Sequence, residues 1–202
     1  MHIAQFMNQG SRGGGGGSCT AIKSDTLQIG SGTSNASYAP AYGLYDYSWY
    51  GALWEASEFT GTADGEIQIT GLQVEVSGYT PTYTYNNMEI WLSEVTETIL
   101  YDPPAVDGTD MTKSNEVQVY VGDFTISSNG FINIDFDTNY CFSGNNSLFV
   151  EFRNKDGSWQ SGFGNGEYEV EISKAGYKAT DNAYPTGTGL RTNGRINTIF
   201  KY

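Results

Sequence analysis

The stretch EIQITGLQVEVS, residues 66–77, carries the clearest structural pattern in this chain. Apolar residues alternate with polar ones from Ile67, and the alternation resumes at Leu72 after slipping by one residue. Alternation with a period of two is typical of a β-strand with one buried face. The slip falls at Gly71, and a glycine at such a point favours a β-bulge. The stretch therefore predicts a bulged strand.

Four further segments alternate in the same way and are rich in β-branched and aromatic residues: MEIWLSEV, NEVQVYVGDFTI, FINIDFDT and SLFVEFRN. Asn129-Gly130 and Asp156-Gly157 each stand between two alternating runs, which predicts two tight hairpins with positive φ angles. One segment, GALWEASEF (51–59), fits a short helix by its pattern. Longer loops are predicted over four ranges: 31–48, 78–87, 102–115 and 173–189.

The spacing of these segments predicts an all-β fold. Roughly ten short strands, separated by clusters of Gly, Asn, Asp, Pro and Ser, indicate an antiparallel β-sandwich or jelly roll. We expect a single domain over residues 21–202, because this length can bury a genuine core. Residues 1–20 contain five consecutive glycines and are predicted to form an extended N-terminal arm.

Composition narrows the function. The formal net charge is −13, and the ten Lys and Arg residues are scattered, so nucleic acid is not an expected partner. The sequence offers neither an apolar run of membrane-spanning length nor a recognisable export signal, so membrane insertion is not expected. His2 is the single histidine, so a Ser-His-Asp triad, a Cys-His pair or a His-rich metal site is not expected within the domain. We expect no enzymatic activity, no catalytic residue, no metal and no cofactor.

Cysteines and acidic clusters offer weaker signals. Cys19 and Cys141 do not make a disulfide framework, and the sequence leaves their pairing open, with two free thiols as the favoured interpretation. Residues 107–110 (DGTD) and the pair Asp135 and Asp137 could supply oxygen ligands to Ca²⁺. Neither matches an EF-hand loop, and solvated charge is the simpler interpretation. Most other acidic residues alternate with core positions, which does not favour a hydrolase cleft.

Tyrosine-rich loops are the candidate contact surface. Tyrosine contacts a partner at low entropic cost, and its ring can stack on a sugar. The alternative is that these rings close one end of the sandwich. The predicted contact residues for a ligand or host glycan are Tyr42, Tyr45, Tyr47, Trp49, Tyr79, Tyr83 and Tyr85.

A resemblance covers residues 38–202. The segments YAPAYGLYDYSWYGALWEASEF, MEIWLSEVTET, VYVGDFTISSNGFINIDFDTNYCFSGNNSLFVEFRN and YPTGTGLRTNGRINTIF stand in order. The chain resembles a β-sandwich module repeated in large surface and secreted proteins of Bacteroidota. The resemblance implies the fold, with adhesion, carbohydrate contact or passive spacing as the role. A secreted carbohydrate-binding or adhesion module, located at the cell surface, is accordingly one functional hypothesis.

The arm supports the other hypothesis. A short N-terminal peptide, a flexible tract and a β-rich body together are similar to phage head fibres, capsid decoration proteins and tail-associated adhesins. That resemblance implies a virion structural protein on the particle exterior, docked on other virion proteins through the arm and assembled as a homo-oligomer, with a trimer as the guess. A cloned tag and linker is the alternative for this segment. The predicted docking residues are Ile3, Phe6, Met7, Gly13, Gly14, Gly15, Gly16 and Gly17.

Overall fold

Eleven β-strands dominate the computed structural model, which describes residue 19 and residues 25–59, 66–78, 82–159 and 164–202. The predicted all-β fold is confirmed. The strands are β1 (Thr26–Ile29), β2 (Ser34–Ala36), β3 (Tyr47–Trp54), β4 (Ile67–Ser77), β5 (Tyr83–Val95), β6 (Lys113–Ile126), β7 (Gly130–Phe142), β8 (Ser147–Asn154), β9 (Asn165–Thr180), β10 (Leu190–Ile196) and β11 (Thr198–Lys201). Two short 3₁₀ turns, Ala56–Glu58 and Val106–Gly108, are the helical elements of the described part.

The strands pair antiparallel along the order β1-β11-β4-β9-β3-β8-β5-β6. Strand β9 joins two halves of this path. Its first residues pair with β2 and with the end of β4, and its last residues, from Ala175 to Thr180, pair with β3. Strand β7 extends the first half beside β4, and β10 follows β9 along both parts.

The two halves pack face to face around a common core. Trp54 of β3 meets Phe200 of β11 edge-on, with ring centroids 5.4 Å apart, and Phe59 lies 4.8 Å from Phe142 of β7. Both contacts join opposite halves, so the arrangement is that of a β-sandwich. A second, smaller apolar cluster around Trp49 and Phe149 lies under the segment that carries Leu100, Val106 and Met111.

The bulge predicted at Gly71 is confirmed. The register between β4 and β7 shifts between Ile69 and Gly71. A Cβ atom at Gly71 would lie 2.6 Å from the carbonyl oxygen of Ile134, closer than real Cβ contacts allow. Glycine is therefore the residue that lets β7 approach β4 at this point.

The predicted tight hairpins are wrong in their pairing. Gly130 and Gly157 do have positive φ angles, 99° and 74°. However, β6 pairs with β5 while β7 pairs with β4, so the turn at Gly130 carries the chain from one half of the sandwich to the other. Strand β8 pairs with β3 and β5 rather than with β9. The two glycines have the expected positive φ angle but Asn129 and Asp156 do not, and tertiary packing decides the strand partners.

Three other expectations need correction. The segment 51–59 is not a helix, because β3 runs to Trp54 and a single 3₁₀ turn follows. The loop expected over 173–189 begins only after Thr180, since β9 extends that far. The favoured free thiols are wrong: Cys19 and Cys141 form a disulfide, with Cα atoms 5.5 Å apart.

Candidate functional site

The predicted contact residues separate into an exposed and a buried group. Tyr42, Tyr45 and Tyr47 are partly exposed. Trp49, Tyr83 and Tyr85 are fully buried and cannot form a surface for stacking; in these three positions the prediction of surface contact is corrected. Tyr83 and Tyr85 face inward because they alternate with outward residues on β5. Strand β3 is buried on both faces from Ser48 to Trp54, and Trp49 lies in the second apolar cluster with Phe149. Tyr79 and the predicted docking residues, from Ile3 to Gly17, lie outside the described residues.

Tyr42 and Tyr45 form one wall of a cleft of about 630 Å³. The opposite wall comes from the end of β9 and the start of β10, where Tyr177 and Leu190 are exposed in part. The remaining lining residues are Pro103, Lys178, Ala179, Thr188 and Gly189. The cleft therefore combines apolar walls with hydroxyl groups and one ammonium group.

A second cleft, of about 620 Å³, lies on the other side of Tyr45, which lines both. Its most exposed ring is Trp159, with 60% of its surface accessible. Leu44, Asp46, Asp181 and Asn182 complete the lining. We call the two clefts together the Tyr45 groove. Ligand grooves of this kind combine apolar walls with a few polar groups that fix orientation.

A chain of contacting aromatic rings holds the wall formed by Tyr42, Tyr45 and Tyr177 in place. Tyr50, fully buried, accepts a hydrogen bond from the backbone N–H of Ile196 and donates one to the carbonyl of Gly194, each 3.0 Å long. Tyr38 lies between Tyr50 and Tyr177, and its hydroxyl is hydrogen-bonded to Thr192. The groove wall is thus anchored to the core through successive aromatic contacts.

The chain of rings ends at the groove. The ring of Tyr177 contacts that of Tyr42, with ring centroids 6.5 Å apart. Tyr42 in turn contacts Tyr45 edge-on, with ring centroids 5.1 Å apart. Burial, together with the neighbouring phenols of Tyr42 and Tyr45, raises the pKa of Tyr177. Its hydroxyl consequently stays protonated at neutral pH and can donate a hydrogen bond to a ligand.

Backbone hydrogen bonds position the loops that carry the groove. The backbone N–H of Gly157 donates to the carbonyl of Asp46, 2.9 Å away, which ties the connection carrying Trp159 to the tyrosine-rich loop. The N–H of Tyr42 donates to the hydroxyl of Ser48 at the start of β3. Tyr47 lies beside Gly157 and does not line the groove.

Sequence reasoning did not single out Trp159, Tyr177 or Leu190. Tyr177 and Leu190 lie far along the chain from Tyr42 and reach the groove because β9 pairs with β3 and β10 pairs with β9. Trp159 follows β8, and the hydrogen bond from Gly157 to Asp46 ties its segment to the tyrosine-rich loop. A lone tryptophan after the Asp156-Gly157 turn was a usable signal for an exposed aromatic residue. The position of Tyr177 had no comparable local signal.

A second candidate site is occupied by the protein's own charges. Glu151 is buried, contrary to the expectation that acidic residues point outward, and it binds the indole N–H of Trp49, Lys113 and Arg153. The guanidinium carbon of Arg153 lies 4.6 Å from the ring centre of Trp91, so it covers one face of that indole. The charges of this cluster are paired with one another, and we assign the cluster a structural role.

The acidic clusters also have partners or are solvated. Asp107 accepts a hydrogen bond from the hydroxyl of Tyr184 and forms an ion pair with Arg153. Asp110 accepts a hydrogen bond from the backbone N–H of Ala105. Asp135 is exposed and contacts Lys201, while the Asp137 carboxylate accepts the N–H of Val121.

The described residues contain one cluster of potential metal ligands, formed by Cys19, Glu66 and Cys141. The two sulfur atoms in it are bonded to each other and do not ligate a metal in this state. Over the same described part, no helix has the length and apolar character needed to cross a bilayer.

The sequence matches no protein-family model, and a search of curated proteins found no match. The functional argument therefore depends on the groove itself.

Proposed function

We propose that this chain is a non-catalytic recognition module that binds a saccharide chain in the Tyr45 groove. The observation that carries the proposal is the partly exposed set of rings, Tyr42, Tyr45, Tyr177 and Trp159, gathered from distant parts of the sequence along one groove. Aromatic faces stack on the apolar faces of sugar rings, and rigid tyrosines contact a partner at low entropic cost.

The polar groups of the groove suit sugar hydroxyls. The carboxylates of Asp46 and Asp181 are strong acceptors, and the Asn182 amide both donates and accepts. Because Tyr45 lines both clefts, a ligand that fills both is a chain rather than a single sugar. The anchored rings favour binding, since little side-chain freedom is lost when the ligand arrives.

Binding without catalysis is the interpretation that the carboxylates support. A general acid for glycoside hydrolysis needs a carboxyl group shielded from water, whereas Asp181 is exposed and Asp46 is partly exposed. The buried carboxylates lie elsewhere and are engaged. Glu94 accepts the backbone N–H and the hydroxyl of Ser143, and Glu151 belongs to the charge cluster beneath Trp91.

The disulfide supports a location outside the reducing cytosol. Disulfides persist in secreted, periplasmic and surface proteins, and are rare where thiols are kept reduced. Cys19 lies two residues after the last glycine of the tract, so its bond to Cys141 attaches the base of the arm covalently to β7. A pulling force on the arm would therefore act on the sandwich through β7, and not through β1.

A glycan-binding experiment tests the proposal. Purified protein is titrated calorimetrically with linear oligosaccharides of several backbone types, alongside Trp159→Ala and Tyr45→Ala variants. We expect binding to at least one series and its loss in both variants. Tyr101→Ala is the matched control, because Tyr101 is exposed but does not line the groove. Equal binding by all four proteins, or binding by none, would contradict the proposal.

Display on a virion is the second proposed role, and the covalent attachment of the arm base favours it. In this role residues 1–17 dock on another virion protein and the sandwich carries the Tyr45 groove outward. The test is to delete residues 1–17, keep Cys19, and ask whether the protein still joins phage particles. Unchanged incorporation would refute docking through the arm and would leave glycan binding as a separate question.

A further inference from the structure

We infer that the Tyr45 groove selects uncharged saccharide chains and rejects acidic ones, and that Asp46 and Asp181 determine this specificity. The inference rests on the proposed function, because it concerns the ligand of the same groove. Beyond glycan binding itself, it names the class of glycan and the two residues that discriminate between uncharged and acidic chains.

The charges around the groove are unequal. Asp46 and Asp181 line the second cleft, which contains Trp159. Neither forms an ion pair with a lysine or arginine of the described chain. Of the described lining residues, Lys178 is the one cation, and it lines the first cleft. Two uncompensated carboxylates therefore border the most exposed ring of the groove.

Lys178 is poorly placed to bind an acidic sugar. Its ammonium group donates to the carbonyls of Thr186 and Thr188, each 2.8 Å away, so two of its three donors are already used. Arginine, whose forked donors match a carboxylate or a sulfate, is absent from the described lining. The groove thus lacks the groups that would stabilise an anionic ligand.

The physical consequence is discrimination by charge. A uronate or sulfate group beside Asp46 and Asp181 would be repelled at short range, where the effective dielectric is well below that of water. The formal net charge of −13 adds a longer-range repulsion that salt screens. Neutral sugar hydroxyls, in contrast, donate hydrogen bonds to the same carboxylates.

The test compares neutral oligosaccharides with uronic-acid and sulfated oligosaccharides of matched length, by calorimetry at low salt and neutral pH. We expect the wild-type protein to prefer neutral chains by at least about tenfold. We expect Asp46→Asn combined with Asp181→Asn to reduce that ratio severalfold, chiefly by improving the binding of acidic chains. The control is Asp123→Asn combined with Glu171→Gln, which changes the net charge equally at exposed or partly exposed positions outside the groove lining.

The outcomes separate the two proposals. Equal affinity for both series, a preference for acidic chains, or the same ratio in the groove variant and its control would overturn the specificity inference while leaving glycan binding intact. Failure of the wild-type protein to bind either series would overturn glycan binding itself, and the inference with it.

Discussion

Tyr38 stacks on Tyr177 with ring centroids 4.2 Å apart and ring planes within 8° of parallel. The two residues come from the tyrosine-rich loop and from β9, so the stack joins the two sequence regions that build the Tyr45 groove. On its inner side Tyr38 contacts Tyr50, which is buried and hydrogen-bonded to β10. The groove is consequently an extension of the hydrophobic core rather than a loose loop surface.

The inner end of this chain of rings gives the first prediction. Tyr50→Phe removes a hydroxyl that serves two backbone groups and leaves the N–H of Ile196 buried without its partner. We expect the free energy of unfolding to fall by about 1–3 kcal/mol, measured by urea denaturation. Tyr101→Phe, at an exposed position, is the control and should change stability little. An unchanged midpoint for Tyr50→Phe would contradict the anchoring role.

The disulfide gives the second prediction. The bond closes a separation of 122 residues, and in the chain-entropy account a long loop gives a large stabilisation, typically about 2–4 kcal/mol. Cys19→Ser combined with Cys141→Ser should therefore lower the unfolding temperature. Addition of a reductant should lower the unfolding temperature of the wild-type protein but not that of the double variant. A wild-type protein insensitive to reductant, with two thiols that react with a thiol reagent, would show that the cysteines are not paired.

The fold was largely predictable from sequence, while the groove was predictable only in part. Alternation within residues 66–77 specified a bulged strand, because the period of apolar residues fixes which face is buried. The partners of β6 and β8 were not predictable, because a turn signal such as Asn129-Gly130 fixes a local φ angle and not the sheet that the chain enters next. Tyr42 and Tyr45 were found by their density in sequence. Trp159 was missed as a groove residue because its position beside the tyrosine-rich loop depends on a hydrogen bond between Gly157 and Asp46, which no local sequence pattern predicts.

Acid sensitivity gives the third prediction, at the buried guanidinium of Arg195. This group binds Glu58 at 2.7 Å, and also Glu169 and the carbonyl of Leu53. Burial alone would raise the pKa of Glu58, but hydrogen bonds and the charge of Arg195 outweigh it and hold that pKa below its ordinary value of 4.5.

A carboxyl group with a lowered pKa in the folded state stabilises the protein above its unfolded pKa. The stabilisation is lost as the pH falls from about 4.5 through the lower value of the folded state. We therefore expect the unfolding temperature of the wild-type protein to drop over this range. In Glu58→Gln the drop should be smaller, and stability at neutral pH should be lower. Parallel pH profiles for the two proteins would show that this ion pair does not contribute.

Trp159 gives the fourth prediction, since it is 60% exposed, whereas Trp49 and Trp54 are fully buried and Trp91 is partly buried beneath Arg153, outside the groove lining. A sugar that covers its indole should shift the tryptophan emission to shorter wavelength as binding saturates. Trp159→Phe keeps an aromatic face, so we expect binding to be weakened only in part while the spectral shift disappears. If the shift persists in Trp159→Phe, another tryptophan reports the binding, and the assignment of the second cleft as part of the binding site is wrong.

A crystal structure of the protein with the tightest-binding oligosaccharide from the calorimetric series would test directly whether a saccharide chain binds in the Tyr45 groove. We predict sugar rings lying against Tyr45 and Trp159, with hydroxyl groups hydrogen-bonded to Asp46 or Asp181. A saccharide bound at another surface, with the Tyr45 groove containing only solvent, would contradict the account.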